Sequence, residues 1–249
     1  VAVKAADYLR AAEALPLVGV DALIPEGSAV VLAPHPDDES LGCGGLLALL
    51  SAAGRPGRVV VMSDGAGSHP HSRSHPGPVL RALREAEARE AVGHLGTPPP
   101  LFLGWGDGDV PDAGPRFEQA VGSVIEAARS FGTLAATIAL DPHRDHVATW
   151  AIAREAARRG GQRLLGYPVW SWRHLYPQIA PVEPATMPGP PRGHRLDVAA
   201  MLPAKRSAVM AHRSQTTRLI ADDPDGFILS EAVLAVLLRP YEVYLEDMA

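Results

Sequence analysis

AVVLAPHPDDESLGCGGLLALL, residues 29–50, is the stretch from which the fold can be read. It opens with an apolar run, Ala29–Ala33, followed by Pro34. Short apolar runs bounded by Pro and Gly read as buried parallel strands. His35, Asp37, Asp38 and Glu39 then fall within five positions, and an apolar helical pattern follows from Leu41 to Ala53. The acidic cluster therefore sits where a strand ends, and in open α/β sheets ligands bind just outside the carboxyl ends of the strands. Adjacent carboxylates repel, and burial raises their pKa unless a cation offsets it. A divalent metal supplies that cation and accepts both imidazole and carboxylate. An Asp-rich cap ahead of the helix would explain the same letters without chemistry.

The surrounding chain supports an α/β protein. Arg58–Met62 (RVVVM) reads as a second buried strand, which completes a strand–helix–strand unit. Further strands are expected at Leu101–Leu103, Thr133–Leu140, Arg163–Val169, Arg195–Ala199 and Tyr241–Leu245. Helices are expected at 3–14, Val79–Leu95, Pro115–Phe131, Val147–Arg159, Pro203–His212 and Phe227–Leu238. Gly19–Gly27 reads as a connector, Ala66–Pro78 as a mobile solvated loop with three histidines, and the Pro-rich Ile179–Gly193 as a surface loop or lid. The His69, His71 and His75 spacing matches no standard zinc pattern. With 249 residues and 47% apolar composition, one globular domain over 1–249 is expected, with its core at about 28–220.

Composition narrows the function. A net charge of −5 argues against nucleic acid as the main partner. No window approaches the ~18 uninterrupted apolar residues of a membrane span. The N-terminus lacks a basic segment followed by an apolar core, so no signal peptide is expected. The single cysteine, Cys43, excludes an internal disulfide and fits a reducing, cytoplasmic setting. Its Gly and Leu neighbours suit a buried structural thiol better than a nucleophile.

A second cluster, Asp141-Pro142-His143-Arg144-Asp145-His146, also follows an apolar run. Both clusters are thus expected on one edge of the same parallel sheet. His35, Asp38 and His146 would form a two-histidine, one-carboxylate set that leaves a coordination position open, as catalytic zinc needs. Zinc lowers the pKa of bound water to about 7. Asp37 is then placed to take a proton. His143 is placed to donate to a developing oxyanion, and Asp145 to hold the His143 imidazole and favour its charged form. These are the parts required to hydrolyse an amide or ester.

Taken together, APHPDDESLGCGG at 33–45 and DPHRDH at 141–146 resemble the PIG-L/LmbE-like zinc-dependent deacetylases. SDGAGSHP at 63–70, an R-x-x-E-x-x-x-A pattern within 83–96, the Leu103–Gly108 loop and KRSAVMAHRSQ at 205–215 match further family segments. Arg144 stands where many members have Pro. The resemblance implies a Rossmann-like three-layer α/β/α fold with a mostly parallel sheet. It also implies removal of an acetyl group from an N-acetylglucosamine-containing small molecule or glycoconjugate. His35, Asp38 and His146 would be ligands of one Zn²⁺ per chain, with Fe²⁺ a competitor. Asp37 would be the general base and later the acid, and His143 the stabiliser of the tetrahedral intermediate. Arg84 and Asp107 match positions that contact sugar hydroxyls in some members. Trp170 and Trp172 follow a strand end, where they would either wall the acceptor side of the pocket or fill the core. His212 lies in a family motif whose role the sequence leaves open.

Three other readings remain. One is an amidase taking a larger acyl group or a thiol conjugate. Another is a sugar- or metal-binding relative without turnover, against which Asp37 and His143 speak. The last is a Rossmann cofactor binder, whose glycine spacing Gly42–Gly45 does not meet.

Overall fold

The computed structural model describes residues 2–246. The N-terminal part comprises β1 (Val3–Lys4), α1 (Ala5–Ala12), β2 (Leu17–Val18) and α2 (Val20–Leu23). The alternating core follows: β3 (Ala29–Ala33), α3 (Asp38–Ala52), β4 (Arg58–Ser63), α4 (Gly77–His94), β5 (Leu101–Trp105), α5 (Gly114–Ala128), β6 (Thr133–Thr137), α6 (Arg144–Gly160) and β7 (Arg163–Tyr167). The chain closes with β8 (Thr186–Met187), β9 (Gly193–Asp197), α7 (Leu202–Ala211), the single turn α8 (Arg213–Thr216), α9 (Glu231–Leu237) and β10 (Tyr241–Glu246).

Eight strands form the main sheet in the order β2-β9-β10-β7-β6-β3-β4-β5. The five strands from β7 to β5 are parallel, and β10 runs antiparallel to both β7 and β9. Two cores on opposite faces make this a three-layer α/β/α protein. Along β3, Ala29, Val31 and Ala33 belong to one core while Val30 and Leu32 belong to the other. This is the period-two alternation of a strand buried on both sides. The first core is closed by side chains of α3, α4 and α7, and the second by those of α5 and α6.

After β3 the chain moves through β4 to β5 on one side, then returns to place β6 on the other. The point between β3 and β6 is therefore a topological switch point, where such sheets open a crevice at their carboxyl ends. Leu32 pairs with Ala136 and Ala33 with Val61, so the ends of β3, β4 and β6 are level.

Helix α3 is buried along almost its whole length from Asp38 to Leu50. That is possible because its glycines leave room. A Cβ at Gly42 would lie 2.2 Å from the Tyr167 ring, and one at Gly45 would lie 2.4 Å from Val198 Cγ1. The backbone amides of Gly45 and Leu46 donate to the buried carboxylate of Glu242 on β10, at 2.7 and 2.9 Å. Lys205 Nζ and the Tyr244 hydroxyl also donate to Glu242, at 2.7 and 2.8 Å. Cys43 is buried beside this network, and burial together with Glu242 pushes its thiol pKa up, as suits a structural residue.

Several boundaries differ from expectation. Two core helices start earlier than apolar spacing suggests: α3 begins at Asp38 rather than Leu41, and α6 at Arg144 rather than Val147. Carboxylates in a first helical turn interact favourably with the amide ends, so polar first turns hide the start of a helix. Strand β6 stops at Thr137 rather than Leu140, strand β7 stops at Tyr167 rather than Val169, and α9 begins at Glu231 rather than Phe227. The Ser230 side chain caps that helix by accepting from Val233 N–H. The Gly19–Gly27 connector contains α2, and Ile179–Gly193 contains β8, which pairs with β1. The histidine loop is tied down rather than free. Asp222 accepts from the amides of Arg73 and Ser74 and from the hydroxyls of Ser72 and Ser74, at 2.7 to 2.9 Å. Among the described residues no helix is long and apolar enough to cross a membrane.

Candidate metal centre and its cavity

The two acidic clusters meet at the switch point. Asp38 Oδ2 lies 3.3 Å from His35 Nδ1 and 3.3 Å from His146 Nε2. Asp38 is held there because it begins α3 and accepts the His35 backbone N–H at 2.9 Å. His146, in the first turns of α6, is fully buried, and its Nδ1 lies 2.8 Å from Asp141 Oδ2. Its Nε2 makes no well-formed hydrogen bond and has the Asp38 carboxylate beside it. An imidazole nitrogen and a carboxylate oxygen that face each other in a buried site without a good hydrogen bond could share an ion. His35, His143 and His146 have ring nitrogens close enough to face one ion. The donor set of imidazoles and carboxylates suits a borderline divalent metal. The residues therefore fit a metal centre, and the second partner of His146, Asp141, is the kind of carboxylate that orients a metal-bound histidine.

Electrostatics point the same way. Burial would lower the His146 pKa, but Asp38 and Asp141 outweigh it and raise it to about 9. His35 behaves alike: burial opposes its charge, yet Asp107, Asp145 and Asp38 hold its pKa well above the usual value. Asp38 is pushed up by burial and, more strongly, down by the two imidazoles. The carboxylates that hold these protons would also attract a divalent ion, which displaces the protons from the imidazoles when it binds.

Asp37 precedes α3 and is the one non-glycine with positive φ, 146°, among the described residues. A side chain held in that region signals backbone strain, and strain of this kind clusters at functional sites. Two devices hold it. Arg84 of α4, itself buried, donates to Asp37 Oδ2 at 3.1 Å and to the carbonyls of Pro36 and Gly65 at 2.7 and 2.9 Å. Glu39 accepts the Asp37 backbone N–H at 3.0 Å, and its other oxygen lies 3.0 Å from His212 Nε2. Burial raises the Asp37 pKa to about 6, with Arg84 opposing and Asp38 reinforcing.

The C-terminal motif left open by the sequence thus has a place. His212 braces Glu39, and Ser214 binds Glu87 of α4 through its N–H and hydroxyl at 2.8 and 2.6 Å. Gln215 borders the cavity with its Oε1 unpaired. Sequence reasoning placed Glu39 and Asp141 in the two clusters without giving either a role, and it gave Gln215 none.

Two expectations need correction. The Asp145 carboxylate does not hold His143. It faces His35 Nε2 at 3.2 Å and accepts from the amides of Gly108 and Val110 at 2.7 and 3.2 Å. His143 instead accepts the Asp145 backbone N–H at 3.2 Å, and burial and the two neighbouring imidazoles lower its pKa. Trp172 is buried in the first core, with Arg239 stacked over its ring, and does not line the cavity. Trp170 does line it, as do Arg84 and Asp107. Asp107 lies 3.2 Å from His35 Nε2, and although burial opposes it, His35 holds its pKa down to about 2. The histidines at 69, 71 and 75 belong to no potential metal group among the described residues.

The cavity beside these residues holds about 440 Å³, within the usual range for small-molecule sites. A family model described as PIG-L, GlcNAc-PI de-N-acetylase, matches residues 30–157, which hold both clusters. The chain belongs to the PIG-L family. It is a hydrolytic N-deacetylase with a candidate His/Asp metal centre. The 1D-myo-inositol 2-acetamido-2-deoxy-alpha-D-glucopyranoside deacetylase of Nocardia farcinica is 27% identical over 272 residues, covering 88% of this chain and 89% of that relative. The N,N'-diacetylchitobiose deacetylase of Pyrococcus horikoshii shares the fold with a TM-score of 0.63 at 22% identity, over 87% of this chain and 82% of that one. The conserved protein TT1542 of Thermus thermophilus gives a TM-score of 0.61 at 25% identity, over 88% and 94%. This PIG-L chain thus matches its relatives along most of their length.

Proposed function

We propose that this PIG-L protein is a zinc-dependent enzyme that removes the acetyl group from an N-acetylglucosamine unit of a small molecule or glycoconjugate. The observation that carries the reading is the convergence of His35, the buried Nε2 of His146 and the Asp38 carboxylate between them, 3.3 Å from each, beside the strained Asp37. His35, Asp38 and His146 would hold one Zn²⁺. When bound, the ion polarises the acetamide carbonyl and acidifies water. Asp37 takes the proton from the attacking water and returns it to the leaving amine; its raised pKa makes it a competent base and then acid near neutral pH. His143 donates to the developing oxyanion through Nε2, since Nδ1 accepts the Asp145 N–H. Asp145 acts on His35 and on the Gly108–Val110 loop rather than on His143. Arg84 positions Asp37, and Asp107 and Gln215 offer acceptors to sugar hydroxyls. One buried cysteine suits a reducing compartment, consistent with a cytoplasmic enzyme acting on a small glycoside.

The test pairs metal analysis with acetate release from N-acetylglucosaminides, with and without chelator. The expected result is about one zinc per chain and release that stops on chelation and returns with Zn²⁺. Release that persists in chelated, metal-free protein would overturn the reading, as would failure to take up metal on reconstitution.

A further inference from the structure

The cavity has two unlike halves. Its inner wall carries His35, Asp37, Asp38, Asp107, Arg84 and His143. Its outer wall is made by two segments that carry none of these residues, the stretch after β7 and the loop leading into α9. From the first come Trp170 and Ile179, and from the second Phe227 and Ile228, with Val233 of α9 behind them. The Trp170 and Phe227 rings meet edge to face with centroids 5.5 Å apart, so the two segments form one continuous apolar surface. Phe227 is anchored by its N–H to the Ser68 carbonyl at 2.8 Å, yet its side chain stays 39% exposed. The one charged side chain on this outer wall, Arg173, is turned onto the carbonyls of Ala180 and Pro181 of its own loop.

A pyranose carries a hydroxyl on nearly every carbon. The acetamide must reach His35, Asp37 and Asp38, so the amino sugar lies against the inner wall and the outer wall faces what is joined to it. Polar groups of that part would lose water against the apolar side chains and gain few partners, which favours a part with few polar groups. We propose that the outer wall is a subsite for an apolar aglycone, an aryl or alkyl group joined to the amino sugar, and that Phe227, Trp170 and Ile179 set this preference. The proposal rests on the deacetylase reading and names the substrate class of that same cavity.

The test compares kcat/KM for acetate release by the zinc-loaded full chain on phenyl, octyl, methyl, inositol and carboxymethyl N-acetylglucosaminides. Apolar contacts of this size give discrimination of about 10–200-fold. The expected result is at least about tenfold preference for phenyl or octyl over methyl. Phe227→Ala and, on the other segment, Ile179→Ala should each shrink that ratio towards one, and Phe227→Leu should restore part of it. Equal rates on all aglycones in an active enzyme would overturn the subsite and leave the deacetylase reading standing. Preference for the carboxymethyl glycoside would overturn it in favour of Arg173 as an anion anchor, and preference for inositol in favour of a polar aglycone. If no glycoside releases acetate, the deacetylase reading fails, and calorimetric binding decides the subsite. Tighter binding of phenyl than methyl N-acetylglucosaminide supports it, and equal binding removes it.

Discussion

The inner and outer walls of the cavity are built by different physical means. Inner side chains stand mostly at strand ends and in the first turns of α3 and α6, and most are tied to buried neighbours by hydrogen bonds and ion pairs. Outer side chains come mostly from the connections around α9 and after β7 and are held by packing and single backbone contacts. A reacting centre tolerates little misplacement, so it is built from rigid elements and over-determined. A surface that sorts aglycones needs shape and apolarity rather than ångström registration, so loops suffice. The contrast implies that inner changes act on turnover and outer ones on substrate choice.

The largest effect should come from the reacting group itself. Asp37→Asn is expected to lower kcat by about 10²–10⁴-fold with metal content unchanged by elemental analysis. His146→Ala should instead lose metal. Normal kcat in either variant would break the assignment of the inner wall.

The brace behind Asp37 should come next. Misplacing a catalytic group by about 1 Å costs roughly 10²-fold in rate, and His212→Ala removes the support of Glu39. Its kcat should fall by about that factor while KM and metal content hold, and His212→Gln, which can still donate, should recover part of the loss. An equal rise in KM alone would mean that α8 serves substrate binding rather than Asp37.

Stability should respond to the buried pair away from the cavity. Lys205→Met strands Glu242 in the core, which for a buried pair costs about 3–5 kcal/mol. The remaining donors from Gly45, Leu46 and Tyr244 should keep the loss at the lower end, read as a fall in Tm. Activity per folded, metal-loaded chain should stay within a few-fold, which separates the scaffold from the site.

The smallest effect is a shift of pH profile. Asp37 must be ionised to accept a proton, so kcat/KM should fall as pH drops through about 6. Arg84 holds that pKa down, so Arg84→Met should move the acidic limb to higher pH. Movement to lower pH would contradict the ion pair seen between Arg84 and Asp37.

Much of the site was legible because it is local. His35, Asp37 and Asp38 sit close together behind an apolar run, and His143 and His146 sit behind another, so strand ends alone bring them to one edge. Gly42 and Gly45 could likewise be read as points of close approach. Helix starts were obscured wherever polar residues filled the first turn, as at Asp38 and Arg144. Trp170 and Trp172, near neighbours in the chain, could not be told apart by type.

By itself, then, the sequence determined the alternating α/β architecture and the meeting of the two clusters, because these depend on short-range pattern and the parallel sheet's handed order. Only the tertiary structure decided the partners. Asp145 lies against His35 instead of its neighbour His143, and Glu39 meets His212, 173 residues away. Arg84 is spent on Asp37, and Trp170 faces the cavity while Trp172 fills the core. Such choices turn on which elements a helix is packed against and on the need of each buried charge for a partner, and neither is written in spacing.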